Sequence, residues 1–498
     1  MLTLAVDLDQ LDSAWRQERG GLRGPAGHLT PLQHPMVSAK IDLTGDGWQI
    51  FVHENHDGAE SLLIEGDASS IRINAGSGGV CPLYLVMDGS MLRGSWNPTD
   101  LLQSVSPDQL VDRAVARLLT RRQRYSADTI YDGLHRLTER SVTIIDGSGI
   151  SVRYPESAEH VLRARELRRR SDPVEAFNRL LTARLAELSR TTDLRRALEI
   201  SGGLDSAVVA TAFTHAGADG VASVGLAIDG SIGEQQASRR EAIIHRLHLR
   251  DYTVPARAHL PFEPSGPRST DRLHYADGDV YAEAFDHLRG WLRDAGTQVL
   301  LTGFGGDELM ALRGSEQPGM HVTPPPELPC WLGERALRAV ADLEANTAPA
   351  SPVAIPTLMV FAARNPAYIA HGLWPVAPLA DSALLRLCES LPVAWRSRKT
   401  LLRHYLRRAG FGSHVTDPRT VESFQSTMEL AIRRHGTTIL EQMLDDSILV
   451  DQGFLDRRCL QLIHTALARD GVVPPLLYDT IAVERSLQSH RHVTGRDG

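Results

Sequence analysis

Short apolar runs separated by turn residues dominate the first part of the chain. Examples are Trp48-Gln49-Ile50-Phe51-Val52, Ser61-Leu62-Leu63-Ile64, Leu83-Tyr84-Leu85-Val86 ahead of Asp88-Gly89, and Ser141-Val142-Thr143-Ile144-Ile145 ahead of Asp146-Gly147. Their length and punctuation predict strands. From about Ala158 the chain turns charged and arginine-rich, and Val174, Phe177, Leu180, Leu181, Leu185 and Leu188 recur at helical spacing. The change predicts a boundary within 155–170 and a division into 1–160 and 161–498.

Beyond the boundary, apolar runs and helical segments take turns. Ala197-Leu198-Glu199-Ile200 leads into a glycine turn and a helix from Ser206; Val221 to Leu226 precedes a helix from Gln236 to Leu247; a helical stretch from Tyr281 to Ala295 precedes Gln298-Val299-Leu300-Leu301-Thr302. Such alternation predicts an α/β fold with a parallel sheet. The proline-rich stretch from Gly314 to Pro329 reads as a loop, and the remainder as helices.

Composition narrows the function classes. The 498 residues exceed what one core usually organises, so a cleft between units is available. A net charge of −8 provides no cationic field for nucleic acid or an anionic membrane. Of the 53 basic residues only Lys40 and Lys399 are lysine, which singles both out. Cys81, Cys330, Cys388 and Cys459 form no CxxC pair, so neither a disulfide framework nor a zinc site is expected and a reducing cytoplasm fits. The start, Met1 to Asp7, meets an acid at once and does not read as a secretion signal; the apolar stretch Val353 to Ala363 is too short to span a bilayer and carries Pro356.

Two motifs carry the chemistry. Ser201-Gly202-Gly203-Leu204-Asp205-Ser206 lies between a predicted strand and a predicted helix, so its N–H groups face a ligand at the helix N-terminus. A phosphate suits that place, the serine hydroxyls offer donors, and Asp205 can take a metal ion. Gly303-Phe304-Gly305-Gly306-Asp307-Glu308-Leu309 again follows a predicted strand, where open α/β sheets place ligands. No Gly-Lys-Ser/Thr exists in the chain, which excludes a Walker A loop.

At the hexapeptide the sequence resembles the PP-loop ATP-pyrophosphatases, which cleave ATP between its α and β phosphates, and the second motif looks like the magnesium element of asparagine synthetase-like enzymes. The resemblance implies that Asp205 and Asp307 hold Mg2+. Ile200, Val224, Leu226, Gly303 and Gly305 would join the hexapeptide in binding ATP, with backbone groups of Leu198 to Ile200 and Val224 to Leu226 meeting the adenine edge. Pro82-Leu83-Tyr84, the run from Ser95 to Leu102, and that from Thr129 to Leu137 look like a glutaminase-like (Ntn-type) α+β domain. An active glutaminase needs an N-terminal cysteine; this chain starts Met1-Leu2 and its first cysteine is Cys81, so no glutamine hydrolysis is expected.

His371 to Asp381, Leu391-Pro392, Lys399-Thr400-Leu401-Leu402-Arg403 and Glu422-Ser423-Phe424 are similar to the pattern of lasso peptide cyclases. That resemblance implies adenylation of an Asp or Glu side chain in a precursor peptide. The core peptide's N-terminal amine then attacks, closing a macrolactam and releasing AMP and pyrophosphate. It also implies a leader-binding protein and a leader peptidase as partners. A small-molecule amide or β-lactam ligase of the same superfamily, or a non-catalytic binding subunit, are the alternatives.

The chain departs from its relatives in two places. Phe304 stands where they carry a Tyr or Glu that moves a proton, leaving the base unassigned: Glu308 is titratable, though it equally suits a helix cap or a support for Asp307. The relatives' lysine for the α-phosphate has no exact counterpart, so Arg419, in Asp417-Pro418-Arg419, or Lys399 would supply that charge. Lysine's rarity favours Lys399. Glu234 and Arg239 would lie near the mouth, and Trp374 and Phe424 could line a peptide cavity or simply be core.

Overall fold

A computed structural model describes residues 1–495 except 45–46, 56–59, 191–193, 218–220, 317–326 and 421–422. It is a mixed α/β structure: two antiparallel sheets of seven and six strands in the N-terminal part, a five-stranded parallel sheet, and helices towards the C-terminus.

The strand Gly47–Glu54 shows how the first part is built. Its residues alternate between buried and half-buried, so Trp48, Ile50 and Val52 face inward. Leu2, Leu4 and Val6 from the other sheet share one apolar cluster with them, each such side chain contributing roughly 1.5–3 kcal/mol by leaving water. The strand Leu2–Asp7 pairs with Met91–Ser95 on one side and Gly27–Pro31 on the other, so the chain's first segment is interior to a sheet.

The last strand of this part is Gly149–Arg153, and the helix Pro173–Arg190 follows. Its Phe177, Leu181 and Leu185 join the cluster shared by the two antiparallel sheets. A second cluster combines Tyr84, Leu102 and Tyr131 with Ile432, Leu449 and Leu487 of the C-terminal helices. The composition change near residue 160 therefore falls between elements, while apolar burial continues across it.

In the parallel sheet the spatial order is Arg250–Pro255, Ala222–Ala227, Arg196–Glu199, Val299–Leu301, Trp374–Val376. Numbered along the chain, these strands run 3-2-1-4-5, so the winding reverses between the first and the fourth. At such a switch point the connections leave in opposite directions and open a crevice at the carboxyl ends of the strands. Pairing of Leu198 with Leu301 sets the two ends side by side. Two strands escaped the sequence reading. Arg250–Pro255 is a half-polar edge, and Trp374–Val376 lies in a stretch read as helical; full burial and ladder pairing with Val299–Leu301 make it a strand. Of the expected loop, only 314–316 and 327–329 are described.

Candidate functional site

The strand Arg196–Glu199 runs straight into the hexapeptide, and the loop helix Leu204–His215 begins within it. Gly202 takes φ +90°, the left-handed turn that reverses the chain before the helix. Both serine hydroxyls take part in hydrogen bonds inside the loop. Ser206 Oγ accepts the Ser201 N–H at 3.2 Å and lies 3.2 Å from the Gly203 carbonyl, while Ser201 Oγ accepts the Gly203 N–H at 3.1 Å. They fix the loop's shape.

A second helix, Gly230–Leu247, braces the loop from behind. Gln236 Nε2 donates to the Ser201 carbonyl at 2.8 Å, Arg239 Nε to that of Gly202 at 3.0 Å, and Arg240 Nε to that of Ile200 at 2.8 Å. Three successive carbonyls are thus held from behind, and the loop helix that follows has no side-chain cap on its first-turn amides. Uncapped amides at a helix N-terminus form an anion cradle. Arg239 thus braces the loop, and Glu234 is exposed.

The second motif crosses in front of the first. A Cβ on Gly306 would fall 2.3 Å from Asp205 Cγ, so only glycine lets the turn pack against that carboxylate. Gly305, at φ +89°, abuts the backbone of Leu379 and Ala380. Asp205 and Asp307 are thereby joined through one cation: Lys399 Nζ lies 2.6 Å from Asp205 Oδ2 and 2.7 Å from Asp307 Oδ1. Lys399 is delivered from 194 residues away by the start of the helix Thr400–Arg408.

The electrostatics follow from unequal burial. Asp205 retains 20% of its side-chain exposure against 82% for Asp307. Burial pushes the Asp205 carboxyl up to about 6, with Lys399 opposing and the charges of Asp307 and Glu308 adding. Burial pulls the Lys399 ammonium down, but Asp205 and Asp307 outweigh it and hold it above its ordinary value. Glu308 is raised by burial first. Asp205 Oδ1 is buried without a hydrogen-bond partner among the described residues, a cost that a bound cation would remove. No group of three or more His, Cys, Asp or Glu side chains suited to a metal exists among the described residues. Two carboxylates beside an anion cradle nevertheless match the donor set of a magnesium ion shared with phosphates.

Beside this cluster lies a cavity of about 240 Å³. Ile200, Ser201, Asp205, Ser206, Leu226 and Gly303 line it. Val224 does not: it is fully buried, and its carbonyl accepts the Ile200 N–H at 2.8 Å, so sheet pairing consumes the group expected to meet a base, and Gly225 takes its place at the wall. Leu204 is a buried residue of the loop helix. Arg419 is exposed, and no ion pair or hydrogen bond links it to the cluster among the described residues. Its neighbour Asp417 is engaged by Arg403 and Arg407 instead. Trp374 is fully buried core, while Phe424 lines the cavity with its ring 4.5 Å from that of Tyr281; Glu422 lies outside the described residues.

The far wall was missed. Arg364 projects there from the helix Ile355–Ala370, its guanidinium 3.9 Å from the Phe285 ring and 4.9 Å from Phe304. It pairs with Glu199 at 3.6 Å, and Tyr368 donates to the same carboxylate at 2.5 Å. Arg364 is the sole charge in an otherwise uncharged helix, a signal the sequence carried.

No protein-family model matches the chain. No curated protein matches it. Among solved structures, the NMN synthetase of Francisella tularensis is similar over 51% of this chain and 99% of that one, at 12% identity and a TM-score of 0.22, too slight a likeness to bear on function. Among the described residues, no helix is long and apolar enough to cross a membrane.

Proposed function

We propose that this protein is an ATP-dependent, AMP-forming C–N ligase that closes a macrolactam in a ribosomally made precursor peptide, in the manner of the lasso peptide cyclases its sequence resembles. The observation that supports it most is the convergence of Asp205 and Asp307 on one cation beside an uncapped, carbonyl-braced helix N-terminus.

In this reading the first-turn amides of the loop helix receive the leaving pyrophosphate, and Asp205 and Asp307 hold magnesium. The bound ion supplies charge neutralisation on the phosphates. An Asp or Glu carboxylate of the peptide attacks the α-phosphorus and the bond to the β-phosphate breaks. The peptide's N-terminal amine then attacks the acyl carbon, AMP leaves, and the amine's proton passes to a base. Glu308 carries a raised carboxyl next to the cluster, and Glu199 lines the cavity itself; either places a carboxylate near the acyl group. Lys399 supplies positive charge at the α-phosphate, while the aromatic rings of Phe304, Tyr281 and Phe424 exclude water from the adenylate. A leader-binding protein and a leader peptidase complete the system, in a reducing cytoplasm.

Mass spectrometry of precursor core peptide incubated with protein, ATP and Mg2+ tests this: ring closure removes one water and yields AMP stoichiometrically. AMP formed with a free amino-acid derivative and never with peptide would favour a small-molecule amide or β-lactam ligase. No substrate-dependent AMP at all would leave a non-catalytic subunit.

A further inference from the structure

We infer that Lys399 occupies the metal position between Asp205 and Asp307 until the nucleotide arrives, so that the divalent cation enters with ATP and not before it. The inference rests on the proposed adenylating site and adds to it an order of binding. Its basis is geometric: a single ammonium bridges carboxylates from two separate motifs at 2.6 and 2.7 Å, and a cation that touched both oxygens at magnesium's shorter bond length of about 2.1 Å would need the same space. Two like positive charges cannot share it, so one must leave.

Lysine suits a removable cation. Its compact charge sits on a flexible four-carbon stem, whereas the planar fork of arginine would be held in one orientation. The other lysine of the chain, Lys40, is exposed on a strand of the N-terminal part, bonded to Asp42. The backbone that carries Lys399 is also unusual. Arg398 and Lys399 have φ of +52° and +57°, two successive non-glycine residues in the left-handed region at the junction between Val393–Arg396 and Thr400–Arg408. That junction aims the ammonium into the acidic pair. Displaced from it, the ammonium can pair with phosphates bound at the loop helix, so the same residue serves first as a stand-in for the metal and then as a partner of the phosphates.

Titration of Mn2+ followed by electron paramagnetic resonance tests the order without catalysis. Native full-length protein and the variants Lys399→Met and Lys399→Gln are each titrated with Mn2+ alone and with Mn2+ plus the non-reacting α,β-methylene analogue of ATP, and their melting temperatures establish that they are folded. Both variants are expected to bind Mn2+ alone at least tenfold more tightly than the native protein, a gain that a further Asp205→Asn change abolishes. The native protein is expected to tighten at least tenfold when the analogue is added. Equal affinity for Mn2+ alone in native and variant proteins, with the native protein still binding Mn2+ in the presence of the analogue, would overturn the inference and leave the proposed site standing. Failure of folded native protein to take up Mn2+ even with the analogue would overturn both.

Discussion

The cavity bordered by Cys81, Glu54 and Glu139 in the antiparallel part has a volume of about 30 Å³, whereas the one at the strand ends of the parallel sheet has about 240 Å³. The first has room for about one water molecule. Burial pushes the Cys81 thiol up, away from the thiolate that a nucleophile needs, and raises Glu139 as well. The second cavity also buries carboxylates, but beside an uncapped helix N-terminus, a lysine and open volume. The difference is topological. Around Cys81 the side chains of the apolar cluster shared by the antiparallel sheets leave almost no space, while a parallel sheet whose winding reverses between its first and fourth strands leaves a crevice that side chains do not close. Buried titratable groups therefore do not by themselves mark a reactive site; the space in front of them decides.

If the contrast is correct, damage to the two cavities must have very unequal consequences. Replacement of Asp205 by Ala is the most severe case: precursor-dependent AMP formation should fall by about 10³-fold, the scale of losing a key charge-stabilising group. A loss below tenfold would mean that the crevice is not where the chemistry happens. Gly306→Ala should cost about 10²-fold through displacement of Asp205 alone, since misplacing a catalytic group by about 1 Å has effects of that order; a melting curve separates it from simple unfolding.

The third expectation concerns pH. The Asp205 carboxyl, raised to about 6, is protonated below that value and ionised above it, and a metal ligand must be ionised. Binding of Mn2+ with the α,β-methylene analogue should consequently be about tenfold weaker at pH 5 than at pH 7.5, an affinity that rises with pH. Because the folded value exceeds that of the unfolded chain, the stability contribution of Asp205 has the opposite sign: it is present below the ordinary carboxylate pKa and lost as pH rises through about 6. A flat binding profile between pH 5 and 7.5 would remove Asp205 from the metal site. The smallest effect belongs to the other cavity: Cys81→Ala should change AMP formation by less than about twofold, while costing about 1 kcal/mol in stability for a half-buried side chain made smaller. A large loss of activity there would erase the distinction between the two regions.

Local pattern was sufficient for much of this. Alternation at Trp48-Gln49-Ile50-Phe51-Val52, helical spacing from Val174 to Leu188, and glycine-rich turns after Ala197 to Ile200 and after Gln298 to Thr302 each report a short-range preference that survived in the folded chain. So did the placement of Asp205 and Asp307 at strand ends. Where local pattern misled, a long-range contact had overruled it. Val224 spends its carbonyl on Ile200, Ser206 spends its hydroxyl inside the loop, and Trp374 is drawn into a strand by pairing with Val299.

What the amino-acid order determined by itself, then, is the α/β class, the two strand-to-turn motifs and the rarity of lysine that singled out Lys399. Tertiary structure alone decided that strands 1 and 4 are neighbours, that Gln236, Arg239 and Arg240 grip the loop's carbonyls, that Arg364 faces Phe304, and that Lys399 bridges two aspartates. The reason is separation along the chain: hydrophobic period and turn chemistry act over a few residues, whereas the Lys399 to Asp205 contact spans 194 and exists only because a sheet, a helix junction and a glycine without a side chain are assembled around it.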